Sequence, residues 1–147
     1  MAKQTQKFIM NTFMQLLENE SLDKITVRDI VEECEINRNT FYYHYSDIYD
    51  LLDDVFRVEA ERFLEQDVDE ATTFGEEYAR AAQFVLKYRR AILHIYDSKK
   101  RDVLENYLET LAFTFISRFV RKEAEGYQLS EDDIAYITGF YTHAIVG

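Results

Sequence analysis

Arg38, Asn39, Thr40, Tyr42, Tyr43 and His44 put six hydrogen-bonding or aromatic side chains into seven consecutive positions. These are residue types that read nucleic acid. An arginine fork matches guanine O6 and N7, an asparagine amide matches adenine, and a threonine methyl suits the thymine methyl. Arg38, Asn39 and Thr40 are therefore candidate base readers, with Tyr43 beside them. Tyr42 and His44 are better placed to donate to phosphate oxygens, as is Arg28 ten residues earlier. Thr26 and Asn37 complete the candidate DNA-binding set. Ile36 to Ser46 contains no carboxylate, although Asp and Glu make up 28 of the 147 residues. A carboxylate facing phosphates would be repelled.

Two short helices must carry these residues. Thr26 can cap the first, with Asp29 completing a capping box and Val27, Ile30, Val31 and Cys34 facing inward. After a turn of about three residues, Asn37 can cap the second, which spans roughly 37–45 and turns Ile36, Phe41 and Tyr45 inward. One helix braces across the DNA backbone and the other enters the major groove, the layout of a helix-turn-helix. An amphipathic helix over residues 3–19, with Phe8, Ile9, Phe13, Leu16 and Leu17 at helical spacing, precedes the pair.

A fourth helix, capped by Ser46 or Asp47, carries Ile48, Leu51, Leu52, Val55, Phe56, Ala60, Phe63 and Leu64 on one face. Thr73 and Glu76 open a helix expected to run to about Tyr96, and Ser130 and Asp133 open one to the end. Between them, Lys99 to about Glu125 carries a broad apolar stripe, with Gly126 as the expected stop. The chain has no Pro and four Gly, so few helix breakers interrupt it. The fold class is all-α: a helix-turn-helix domain over residues 1–46 and a helical bundle over 47–147 for ligand binding and dimerisation.

Apolar residues make up 47 % of the chain, enough to bury a core and to exclude disorder. The net charge of −11 excludes indiscriminate nucleic-acid binding, because phosphate affinity comes from Lys and Arg. Its densest acidic parts, Glu65–Glu70 and Glu131-Asp132-Asp133, read as solvated faces. Cys34 stands alone, which excludes a disulfide framework within the chain, and its inward position reads as a buried thiol. Without a basic-then-apolar leader or a long uncharged apolar run, the expected setting is cytoplasmic with no membrane partner.

The string Thr26-Val-Arg-Asp-Ile-Val, then Ile36-Asn-Arg-Asn-Thr-Phe-Tyr-Tyr-His-Tyr and Leu51-Leu52, resembles the N-terminal domain of TetR-type transcriptional regulators over roughly residues 5–56. Together with Gly139-Phe-Tyr-x-His-Ala-x-Val-Gly, it resembles a branch that includes activators of dihydroxyacetone-kinase operons. The resemblance implies a homodimer whose N-terminal helices bind a double-stranded DNA operator. It also implies C-terminal helices that dimerise and enclose a small-molecule effector. Such subunits end in a pair of helices; here Gly139 to Gly147 stops with an apolar face still running, so one further helix is expected to be missing.

Two departures bear on affinity. Glu35 stands where the family has Gly in the turn, and Ser46 and Ile48 occupy the neighbourhood where it often places Lys. Weak operator binding, or help from a partner protein, is the consequence expected. Phe84, Tyr88, His94, Phe113, Tyr136 and Phe140 are the candidate ligand-binding residues, with core packing as the competing reading. No metal site follows from the spacing of His94 and His143, and no cofactor is implied. Neither a phosphate-binding glycine loop nor a nucleophile–base arrangement points to an enzyme. The alternative to a DNA-binding regulator is a regulator-derived protein-interaction module that keeps the helix-turn-helix as scaffold.

Overall fold

A computed structural model describes residues 1–65 and 72–147, and among these every regular element is helical. In chain order they are α1 (Ala2–Asn19), a 3₁₀ turn (Leu22–Lys24), α2 (Val27–Glu33), α3 (Arg38–His44), α4 (Ile48–Leu64), α5 (Phe74–Lys87), α6 (Arg89–Tyr96), α7 (Arg101–Glu123) and α8 (Glu131–Val146). Of the acidic run Glu65–Glu70, residues 66–70 lie outside the described residues.

Side chains close the helix starts as their types require. Thr26 with Asp29, Thr73 with Glu76, and Ser130 with Asp133 form reciprocal capping boxes at α2, α5 and α8. Asp47, not Ser46, caps α4: its Oδ1 accepts the Tyr49 and Asp50 N–H groups at 2.8 Å. The α7 helix ends at Glu123, and Gly126, at φ +92°, turns the chain towards α8.

The helix expected from Thr73 to Tyr96 is two helices. Tyr88, at φ −101° and ψ 12°, ends α5 and begins α6. The inward row Glu77, Ala81, Phe84, Tyr88, Ala91 and Ile95 keeps helical spacing across the break, so periodicity contains no sign of it. The two halves bury against different neighbours. Ala91 and Ile95 of α6 join the core of α1, whereas Ala81 and Phe84 of α5 pack on α7 and the end of α4.

Two apolar cores result. The first joins Ile9, Phe13 and Leu17 of α1 to Ile30, Phe41, Leu51 and Leu52, and continues through Ala91, Ile95 and Leu104 of α6 and α7. It crosses residue 46, so the helix-turn-helix is welded onto the bundle. The second gathers Phe63, Leu111, Phe115, Ile116 and Phe119. Fully burying one such side chain stabilises by roughly 1.5–3 kcal/mol. Helix α8 lies on α7, with Thr138 and Thr142 buried and their hydroxyls turned back to the carbonyls of Ile134 and Thr138. No helix among the described residues is long and apolar enough to cross a membrane.

Candidate nucleic-acid interface

The bracing helix α2 begins at Thr26. Its N–H and hydroxyl both donate to Asp29 Oδ2, at 2.8 and 2.7 Å, and hold that carboxyl below its usual range. Arg28, two residues on from Thr26, is exposed, its Nε 2.7 Å from Glu32 Oε1. Both partners are well exposed, so the pair is weakly held and a phosphate can replace Glu32 at little cost.

The turn closes by hydrogen bonds that explain its unusual residue. The Ile36 N–H reaches the Val31 carbonyl at 3.0 Å, and the Glu35 N–H reaches the Glu32 carbonyl at 3.2 Å. This paired pattern requires a left-handed residue between them, and Glu35 adopts φ +53°. Where glycine would be free of strain, the glutamate costs on the order of 1 kcal/mol. Cys34, just before it, is buried, and that burial pushes its thiol up.

Helix α3 has seven residues, too few to be stable alone. Asn37 caps it, its Oδ1 accepting the Thr40 N–H at 2.9 Å and the Thr40 hydroxyl at 3.1 Å. The oxygen of Asn37 and the hydroxyl of Thr40 are thus committed to building the helix, which leaves the Thr40 methyl for apolar contact. Phe41 is fully buried beneath. Arg38 and Asn39 are exposed and have no hydrogen-bond partner among the described residues, while Tyr42 and Tyr43 are 49 % and 79 % exposed. His44 is half-buried, edge-on to Tyr43 with ring centroids 5.1 Å apart.

The far end of α3 is tied down by a network that spacing does not reveal. The buried Tyr45 donates its hydroxyl to Asp54 Oδ2 at 2.8 Å, and Gln6 of α1 donates to the same oxygen at 2.9 Å. Arg57 holds the other oxygen. Burial pushes the Asp54 carboxyl up, but the hydrogen bonds from Tyr45, Arg57 and Gln6 outweigh it and hold the group below its ordinary value. The only hint in the sequence is a tyrosine at an inward position. Ser46, where a lysine was missing, donates its N–H and hydroxyl to Asp50.

Of the residues expected to surround one ligand, Phe84 and Tyr88 meet, with ring centroids 5.0 Å apart, and the other four lie elsewhere. Phe84 lines an apolar groove of about 580 Å³ with Phe63, Leu111, Phe115 and Ile145. Tyr88 instead donates its hydroxyl to Glu59 at 2.7 Å. His94 turns the other way, its Nδ1 2.5 Å from the Leu17 carbonyl at the end of α1. Phe113, Tyr136 and Phe140 are exposed on α7 and α8, Tyr136 at 78 %. Helical spacing tells which aromatics share a face, not which neighbour that face meets.

Residues 9–55 match the model described as bacterial regulatory proteins of the tetR family, and residues 73–147 match that of a transcriptional regulator C-terminal region. The chain belongs to the TetR family of transcriptional regulators, which is a family of regulators and not of enzymes. Its fold is similar to that of a dihydroxyacetone kinase operon activator, DhaS, with a TM-score of 0.78 at 19 % identity over 97 % of this chain and 80 % of that one. A TetR-family regulator from Syntrophomonas wolfei strain Goettingen, described as putative, is similar at TM-score 0.71 and 17 % identity, over 99 % and 85 % of the two chains. No curated protein matches.

Proposed function

We propose that this regulator acts as a homodimer that sets two copies of α3 into successive major grooves of a pseudo-palindromic operator. The observation that carries the reading is the outer face of α3. Arg38, Asn39, Tyr42 and Tyr43 project from a helix without a carboxylate, while Phe41 and Tyr45 lock its inner side. Arg38, Asn39 and the Thr40 methyl read bases; Arg28, Tyr42 and His44, with the N-terminal ends at Thr26 and Asn37, meet phosphates. Half-sites then lie about one helical turn apart, roughly 34–36 Å.

The apolar groove beside Phe84 is large enough for a small effector, and the exposed aromatic face of α8 suits a second copy of the chain. An effector that favours one spacing of the two heads changes operator affinity by its differential affinity for the two arrangements. The protein works in the cytoplasm, with its DNA. Electrophoretic retardation of the gene's own upstream duplex, at several salt concentrations, tests the reading. Retention of a slowed, competitor-resistant complex is expected. If no fragment is retarded even at low salt, the chain is an interaction module instead.

A further inference from the structure

We propose that Lys3 and Lys7 on the outer face of α1 belong to the DNA-binding surface and neutralise backbone phosphates beside the recognition helix. The inference rests on the DNA-binding reading above and adds a contact outside the helix-turn-helix pair.

Phosphate affinity has to come from lysine and arginine, and the N-terminal unit has few to offer. Arg38 sits on the base-reading helix, Arg28 lies against Glu32, Lys24 follows Asp23 in the 3₁₀ turn, and the segment after α3 presents Ser46 with Asp47 and Asp50. Residues 1–17, by contrast, hold two lysines and no Asp or Glu, in a chain of net charge −11. Both lysines are exposed, four residues apart, hence on one face of α1, and neither has an ion pair among the described residues.

Their position follows from the residue between them. Gln6 donates to Asp54 Oδ2, the same oxygen that receives the Tyr45 hydroxyl. One shared carboxylate oxygen therefore binds the first turns of α1 to the last residue of the recognition unit. Lys3, in the first turn of α1, also opposes the helix dipole, since that turn favours carboxylates, and α1 has none there.

The test is the salt dependence of binding to the gene's own upstream duplex. Lys3→Gln/Lys7→Gln is compared with Arg89→Gln/Arg90→Gln, which removes the same charge from α6. The lysine variant is expected to flatten the slope of log K against log salt by about 2, close to one per phosphate contact, with base preference unchanged. The α6 variant keeps the original slope. An unchanged slope for the lysine variant overturns the proposal, as does an equal flattening in both, which would reflect net charge alone. Unaltered helicity of both variants by circular dichroism secures the comparison. Should the unmodified protein fail to bind any duplex, the DNA-binding reading itself falls; if it binds with the lysine variant identical, only this inference falls.

Discussion

The hydroxyl of Tyr45 donates to Asp54 at 2.8 Å, so the residue that closes the recognition helix is fastened to the middle of the next helix. Loss of a hydrogen bond to a charged, partly buried group costs about 1.5–3 kcal/mol. Tyr45→Phe should therefore lower stability by about that much in urea unfolding. Gln6 and Arg57 remain on Asp54, which favours the low end.

The same link sets a pH dependence. The Asp54 carboxyl in the folded protein lies below its ordinary 3.8, so its stabilisation is complete above that value and is lost as the pH falls through the lower, folded one. Urea unfolding of the wild type and Tyr45→Phe should differ most near neutrality and converge in strong acid. A gap that is constant down to the acid transition would show that the charge on Asp54 plays no part.

Arg38→Ala should relax base preference at one position, whereas Arg28→Ala should weaken binding to all sequences alike. Competition between the operator and scrambled duplexes separates the two. Identical profiles would refute the division of labour between reading and anchoring.

Glu35→Gly should stabilise the protein by up to about 0.5 kcal/mol, the relief of a left-handed residue (about 1 kcal/mol) less the added chain entropy of glycine. Chemical denaturation measures it. A loss of stability would mean that the glutamate side chain makes up more than its backbone costs.

Tyr107 stacks on Phe56 with ring centroids 4.2 Å apart, yet its buried hydroxyl has no hydrogen-bond partner among the described residues. Tyr107→Phe keeps the stack and removes the orphan, so a gain of up to about 1 kcal/mol is expected. A marked loss would show that the hydroxyl makes a stabilising interaction in solution.

Much of the recognition unit was legible because caps and inward positions are local. Thr26, Asn37 and Thr73 announce helix starts through side chains only a few residues from the groups they satisfy. Even the strained Glu35 could be read, since the resemblance called for a glycine there. Contacts between distant segments could not be read that way. Nothing near His94 says that its ring meets Leu17, and nothing near Asp54 says that three helices converge on it. For the same reason, spacing alone could not say that Phe113, Tyr136 and Phe140 of α7 and α8 are exposed.

The break at Tyr88 has a mechanical meaning. A straight helix from Thr73 to Tyr96 would be one rod, and tilting either end would swing the other. Tyr88 makes it two links with a pivot between them, and Glu59 on α4 grips the pivot through the tyrosine hydroxyl. The second link, α6, is held at its far end by His94, whose ring meets the Leu17 carbonyl of α1. The bundle thus carries a short lever, pinned at both ends to the helices that frame the DNA-reading head.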